Sequence, residues 1–179
     1  MAKTIYLLRH FRVKDTQKAW LDGKAFDAWV DAYDDMELEY LDIELPSFDS
    51  CLVSPQNRAI RSAKHLGIEY TIEPNLHEVE PKLFWHSRWK LSKNIWLTLG
   101  RLRWLLNMSS DETRSDTFAR VHNVIKKLQE SEAHNILILS HGFFIKILAR
   151  ELRKEGFVGD MDIKPKNGKI YPMQIEIHS

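Results

Sequence analysis

The sequence predicts an α/β layered domain, in which helices cover a central, mostly parallel sheet. Short apolar runs that are typical of buried strands alternate with segments whose apolar residues recur at helical spacing. No internal repeat or Pro/Ser-rich linker divides the 179 residues, so we expect one domain that spans residues 1–179. The predicted strands are Ile5–Leu8, Ser50–Val53, Glu69–Ile72, Ile136–Leu139 and Met173–Ile177.

Three helices follow from the same periodicity. The longest is Ser115–Glu130, which its first residue or Asp116 can cap. Arg58–Leu66 is a shorter helix that Gly67 closes, and Phe143–Leu152 is the third. These helices alternate with the predicted strands, which is the pattern of a parallel sheet.

Two stretches are less regular. Residues 14–46 mix aromatic side chains with many acids, and no element is predicted there. For residues 81–110 we predict a helical Trp-rich excursion that forms a wall or cap over the pocket and helps to choose the substrate. The alternative for this excursion is contact with a membrane surface or a partner. Its tryptophans are Trp85, Trp89, Trp96 and Trp104.

Composition excludes several classes of protein. The net charge is +1 with both signs interspersed, so neither a nucleic acid nor a membrane surface is an expected partner. No run approaches the ~18 apolar residues of a transmembrane helix, and the N-terminal flanks do not fit a signal peptide. The single cysteine, Cys51, lies in an apolar run and is expected in the core. We therefore expect a cytoplasmic protein.

Cationic side chains follow three of the predicted strands. Arg9 and His10 end the first, Arg58 lies in the helix after the second, and His141 follows the fourth. Each alone has a structural explanation, because a single His in a turn or Arg at a helix start is common. Together they meet at one edge of a parallel sheet, where such folds bind ligands. Guanidinium forks and helix N-termini favour a phosphoryl group.

The transfer predicted for this site is metal-free and needs no cofactor. No Gly-rich loop precedes a Lys-Ser/Thr pair, and no cluster of carboxylates is placed to hold magnesium. Without a metal-bound nucleophile, the reaction needs a nucleophilic side chain, and histidine can serve.

Four segments carry a resemblance to a known family. They are "LLRHF", "CLVSPQNRAIRSAKHLG", "NLHEVE" and "FARVHNVIKKLQESEAHNILILSHGFFIKIL", and they follow in order over nearly the whole chain. The sequence resembles the histidine phosphatase superfamily, with its phosphoglycerate mutase-like fold. This resemblance implies a three-layer α/β/α domain and roles for four residues. His10 would be the nucleophile that forms a phosphohistidine, and Arg9, Arg58 and His141 would hold the phosphoryl oxygens.

The same resemblance implies a general acid. Glu78, in "NLHEVE", would protonate the leaving oxygen and later, as a carboxylate, activate water. The segment that follows, "PKLFWHSRW", departs from the Gly–Trp–Glu–Gly type segment that the family often has. Glu80 is therefore a rival for the acid, and the substrate stays open.

Phe11 stands where the family usually has glycine. We expect an ordinary β or bridge conformation at Phe11, because a bulky residue at positive φ is strained. Its N–H could then face a phosphoryl oxygen. The ring should turn away from His10 against apolar or Trp-rich surface and narrow the pocket mouth. The alternative is that the ring only fills core space.

The sequence thus favours a metal-independent phosphatase that hydrolyses phosphomonoesters through a phosphohistidine, with a small phosphorylated substrate. Alternatives are a phosphoglycerate-type mutase, a non-catalytic phosphate-binding regulatory module, and a phosphohistidine phosphatase that acts on proteins. The oligomeric state stays open, and a homodimer is one alternative.

Overall fold

The structure, a computed structural model, describes residues 2–17, 20–82, 87–108 and 112–176. Nine strands and five α-helices lie within these residues. The strands are β1 (Ala2–Arg9), β2 (Arg12–Val13), β3 (Trp20–Leu21), β4 (Leu38–Glu39), β5 (Ser50–Val53), β6 (Thr71–Ile72), β7 (Leu91–Ser92), β8 (Asn135–Ser140) and β9 (Ile170–Glu176). The helices are α1 (Gly23–Tyr33), α2 (Asn57–His65), α3 (Lys93–Leu105), α4 (Arg114–Glu130) and α5 (Gly142–Lys154).

Five strands form the central sheet, in the order β6-β5-β8-β1-β9. All neighbours pair in parallel except β9, which runs antiparallel to β1. The register sets Arg9 opposite Ser140 and Val53 opposite Leu139, so the carboxyl ends of the three inner strands lie level. This mostly parallel sheet confirms the predicted α/β fold class. The strand predicted at Glu69–Ile72 is shorter, because only its last two residues pair.

Helices cover both faces of the sheet. On one face, α4 and α5 pack Val124 and Leu148 against Ile5 of β1. On the other, α2 packs Ala59 against Leu8 of β1. Successive strand residues point to opposite faces, so β1 supplies both clusters. Two smaller two-stranded sheets, β2-β4 and β3-β7, lie outside this frame.

Helices α1 and α3 form an aromatic unit of their own. Phe26 stacks on Trp29 and on Trp96, with ring centroids 5.6 and 5.8 Å apart. The indole N–H of Trp96 donates to the carbonyl of Leu21 over 2.7 Å, so its polar atom is satisfied in the interior. Sequence reasoning predicted no helix in the stretch that contains α1.

The predicted Trp-rich excursion contains α3, preceded by irregular backbone at residues 87–90. Trp104 is buried in the main core and donates its indole N–H to Thr117 over 2.8 Å. Trp89 is exposed, and Trp85 lies outside the described residues. None of the described helices is both long enough and apolar enough to cross a bilayer.

Of the two helix ends predicted from the sequence, the cap of α4 is wrong and the end of α2 is confirmed. Thr113 caps α4, not Ser115 or Asp116 as predicted, because its hydroxyl accepts from the Asp116 N–H while the Asp116 carboxylate accepts from the Thr113 N–H. Gly67 ends α2 as predicted, at a φ of +65°. Cys51 is buried, and burial raises the pKa of its thiol to about 12.

Candidate active site

The site lies at the carboxyl edge of the sheet, where β1, β5 and β8 end side by side. The His10 N–H donates to the Ser140 carbonyl, and the Ser54 N–H donates to the Leu139 carbonyl, both over 3.0 Å. These two bonds extend the parallel pairing by one residue beyond each strand. His10, Ser54 and His141 are thereby brought together.

His10 is held as a neutral imidazole, and its Nε2 has no hydrogen-bond partner among the residues that the structure describes. Its Nδ1 lies 2.6 Å from the Phe11 carbonyl oxygen, which can only accept, so Nδ1 carries the proton. Nε2 then keeps its lone pair. Burial, and next the charges of Arg58 and Arg9, lower the pKa of His10 well below its usual 6.5, although the bond to Phe11 opposes this. The His10 imidazole is therefore unprotonated at neutral pH.

His141 lies fully buried beneath His10, with ring centroids 5.1 Å apart. The Arg58 Nε–H donates to its Nδ1 over 3.1 Å, so the ring proton is on Nε2, which donates to the Ser54 hydroxyl over 2.7 Å. Burial, followed by the Arg58 charge, lowers the pKa of His141 well below 6.5. Both ring nitrogens are bonded to protein, so its predicted contact with a phosphoryl oxygen needs one of these bonds to open.

Arg58 is buried, and all three of its guanidinium nitrogens have protein acceptors. Besides the bond to His141, Nη1 donates to Asp34 over 2.8 Å and Nη2 donates to Gln56 over 3.0 Å. The Asp34 carboxylate also accepts from the backbone N–H groups of Asn57 and Arg58, at the first turn of α2. A helix N-terminus and a guanidinium form an anion site, and here a carboxylate of the protein fills it.

Arg9 lines the same cleft, but unlike Arg58 it has a guanidinium nitrogen without a protein partner in the part of the chain that the structure describes. Its Nη1 donates to the Pro165 carbonyl over 2.7 Å, and its Nε has no partner among the described residues. The guanidinium lies against Gly142, where an added Cβ would come within 2.9 Å of Nε and Cζ. Glycine at position 142 therefore lets the Arg9 side chain pack over the start of α5.

Glu78 lies at the start of α5, beside the histidines. Its carboxylate accepts from the backbone N–H groups of Phe143 and Phe144, each over 3.1 Å. Glu80 also lines the cleft, but its carboxylate is bound at the rim by Lys82 over 3.1 Å. The two candidates for the acid are thus placed differently. Only Glu78 is anchored to the helix that follows His141.

A cleft of about 410 Å³ joins these groups. Arg9, His10, Arg58 and Glu78 line it, whereas His141 lies below its floor. The structure therefore brings four of the five predicted site residues to one cavity and places the fifth in contact with two of them.

Tyr33, Asp34 and Arg101 are among the residues of the cleft that sequence reasoning missed. The Arg101 guanidinium lies 3.8 Å from the centroid of the Phe143 ring and donates to the Val79 carbonyl. Burial lowers the pKa of Arg101, while the nearby Glu78 raises it. Burial has the opposite effect on Tyr33, because it raises the pKa of the phenol. No motif marks these residues, because α1 and α3 bring them to the site only when folded.

Phe11 is a core residue in the structure, not part of the cleft. It is 1% exposed, and its ring packs edge-on against Tyr40 and His65. Its N–H donates to the Ser62 hydroxyl over 3.0 Å, so this N–H does not face a phosphoryl oxygen. Its φ is not positive, as predicted. The interpretation that the ring fills core space is confirmed, and the predicted narrowing of the pocket mouth by this ring is wrong.

The Trp-rich excursion contributes to the cleft through other side chains than its tryptophans. Trp96 and Trp104 point into apolar clusters, whereas Leu97 and Arg101 of α3 line the cavity. Helix α3 is therefore one wall of the cleft, and a role of this wall in choosing the substrate stays a prediction.

Comparison with known families identifies the fold. The family model of the histidine phosphatase superfamily (branch 1) matches residues 40–177, a range that starts after His10 and contains Arg58, Glu78 and His141. The chain belongs to the histidine phosphatase superfamily. Membership of this superfamily supports a phosphatase-type enzyme. No curated protein sequence matches the chain.

Solved structures share the fold at low identity. The alpha-ribazole phosphatase from Shigella flexneri has a TM-score of 0.51 at 17% identity, over 94% of this chain and 95% of that chain. A phosphoserine phosphatase mutant from Entamoeba histolytica has a TM-score of 0.54 at 15% identity, over 94% and 89%. A mycobacterial glucosyl-3-phosphoglycerate phosphatase has a TM-score of 0.50 at 18% identity, over 86% and 73%.

Proposed function

We propose that the protein is a metal-independent phosphatase that hydrolyses small phosphomonoesters through a phosphohistidine on His10. The observation that carries this proposal is the free Nε2 lone pair of a buried, neutral His10 between Arg9 and Arg58. Three proteins of similar fold are named as phosphatases, which supports the same class of reaction.

The first half of the reaction transfers the phosphoryl group to the protein. His10 Nε2 attacks phosphorus, the ester P–O bond breaks, and Glu78 gives its proton to the leaving oxygen. Arg9 and Arg58 stabilise the charge that spreads over the equatorial oxygens. His141 keeps Arg58 in place through its Nδ1 and supports the His10 ring from below.

The second half releases phosphate. The Glu78 carboxylate takes a proton from water, the water oxygen attacks phosphorus, and the P–N bond to His10 breaks. Inorganic phosphate leaves and Glu78 is again protonated, so atoms and protons balance over the cycle. The single cysteine of the chain, buried as a free thiol, is compatible with the reducing cytoplasm where we place this reaction.

The test is hydrolysis of p-nitrophenyl phosphate in the presence of EDTA. We expect turnover in wild type, an acid-labile phosphoenzyme after rapid quenching, and the loss of both in His10→Ala. His134→Ala is the matched control, because His134 is exposed and distant from the cleft in sequence and register. Full activity in His10→Ala, or complete dependence on a divalent metal, would refute the proposal.

A further inference from the structure

A second, basic cleft adjoins the catalytic cleft on the other side of Arg9. Its volume is about 450 Å³, and Arg9 lines both cavities. Three further cations surround it, from β2 and from the loop that joins α5 to β9: Arg12, Lys164 and Lys166. None of these three belongs to the catalytic set described above.

The loop that carries the two lysines is fastened to the catalytic strand. The Pro165 carbonyl accepts from Arg9, and the Gly168 N–H donates to the Arg9 carbonyl over 2.9 Å. The Asn167 side-chain amide donates to the His10 carbonyl over 2.7 Å. These three bonds fix the loop backbone relative to His10, so the lysines extend from an anchored support.

The charges of the basic cleft are poorly balanced. Glu39 is its only carboxylate among the lining residues, and it lies 3.7 Å from Arg12 with both side chains largely exposed. Exposed pairs of this kind are weak, so Arg12 remains available to an anion. Within the described part of the chain neither Lys164 nor Lys166 makes an ion pair, although the charge of Lys166 acts on Asp162, which pairs with Lys169 over 2.9 Å. Since the whole chain has a net charge of only +1, this local excess of positive charge does not follow from the composition of the chain.

A surface groove of about 630 Å³ has lining residues in common with both cavities. A leaving group that follows this groove would run along the protein surface from the phosphoryl position at His10 to the basic cleft. The groove shares Trp29, Tyr33 and Leu97 with the catalytic cleft, and Arg12, Glu39 and Asn167 with the basic cleft.

We propose that the basic cleft binds a second oxyanion on the leaving group, so that the preferred substrates are phosphomonoesters with an additional phosphate or carboxylate. This inference rests on the proposed phosphatase function. Arg9 lies between the two anions and attracts both, whereas Arg12, Lys164 and Lys166 contact only the second. The second group thus adds binding energy without changing the reacting phosphoryl group.

The test compares three sugar phosphates with the same 6-phosphate. Fructose 6-phosphate has no second anion, fructose 1,6-bisphosphate has a second phosphate, and 6-phosphogluconate has a carboxylate. We expect at least one of the two probes with a second anionic group, fructose 1,6-bisphosphate or 6-phosphogluconate, to have a lower KM than fructose 6-phosphate. This KM should rise with salt concentration. Arg12→Ala, Lys164→Ala and Lys166→Ala should each raise that KM about three- to fivefold, the size of an exposed ion pair.

Controls separate this inference from the proposed function. The three variants should leave kcat and KM for fructose 6-phosphate and p-nitrophenyl phosphate unchanged, and Lys146→Ala, an exposed lysine on α5, should change nothing. Hydrolysis of p-nitrophenyl phosphate with equal KM for all three sugar phosphates would overturn the inference and leave the function standing. If p-nitrophenyl phosphate is not hydrolysed, the function fails. Whether the basic cleft binds an anion is then tested by calorimetric binding of fructose 1,6-bisphosphate to wild type and to Lys164→Ala. Equal affinities would overturn the inference.

Discussion

The two buried histidines of the site predict that the protein loses stability in mild acid. His10 and His141 are 3% and 0% exposed, and each has a pKa well below 6.5, chiefly because of burial and the charge of Arg58. In the unfolded chain both imidazoles titrate near 6.5. As the pH falls below 6.5, the unfolded state therefore takes up protons that the folded state does not. Stability is complete above this pH and decreases below it, until the folded-state pKa values are reached.

The magnitude follows from the number of protons. One imidazole that charges only on unfolding lowers the free energy of unfolding by up to about 1.4 kcal/mol for each pH unit. The two together give a limiting slope of about 2.7 kcal/mol per unit on the acid side of 6.5. Net stabilities of domains are about 5–15 kcal/mol, so this slope removes a large share within two pH units.

The assay is urea denaturation followed by tryptophan fluorescence at pH 7.5, 6.0 and 5.5. His10→Gln and His141→Gln should each halve the slope of the free energy of unfolding with pH, whatever their effect on stability at pH 7.5. His134→Gln should keep the wild-type slope, because this histidine is exposed. The reasoning fails if wild type shows no loss between pH 7.5 and 5.5, or if the double variant keeps the full slope.

Three further substitutions test the site itself. Glu78→Gln should reduce turnover of alkyl phosphates about 10²–10⁴-fold and that of p-nitrophenyl phosphate far less, since a good leaving group needs little protonation. If Glu80→Gln instead shows the larger difference between alkyl phosphates and p-nitrophenyl phosphate, Glu80 is the acid. Asp34→Asn removes the charge that faces Arg58 and should tighten product inhibition by inorganic phosphate about fivefold, whereas an unchanged inhibition constant would show that Asp34 does not compete. Phe11→Ala should cost about 3–5 kcal/mol of stability by urea denaturation with an unchanged range of aryl phosphates, and a wider range would restore a gating role.

The central sheet could be predicted because its strands carry their own signal. Runs such as Ile136–Leu139 are wholly apolar, contain β-branched isoleucines and end at polar residues, so both their position and their strand conformation are local properties of the sequence. The positions of His10 and His141 then followed from the rule that parallel strands end at one edge. The structure extends these strands by only a residue or a few at their ends.

The missing parts of the site depend on contacts that are distant in sequence. Asp34 reaches Arg58 across 24 residues, and Arg101 reaches Val79 across 22, so no local pattern links either pair. Helix α1 was missed although Phe26, Trp29 and Tyr33 recur at helical spacing, because the acids interspersed among them obscured the pattern. The Phe11 ring is buried against β4 and α2, and these contacts also form only when the chain folds.

The two arginines that would hold a phosphoryl group in the proposed reaction also keep His10, the proposed nucleophile, unprotonated. Arg58 and Arg9 lower the pKa of both His10 and His141, so the charges that would hold the substrate keep both imidazoles neutral before it arrives. Two such charges beside buried rings need an anion nearby, and Asp34 supplies one to Arg58 at the start of α2. Asp34 thus stabilises the substrate-free site and at the same time opposes the substrate. Removing the Asp34 carboxylate should therefore tighten phosphate binding and lower the free energy of unfolding of the phosphate-free protein. A residue that only capped the helix would lower the stability without tightening phosphate binding, so the two measurements together distinguish competition for Arg58 from a purely structural role.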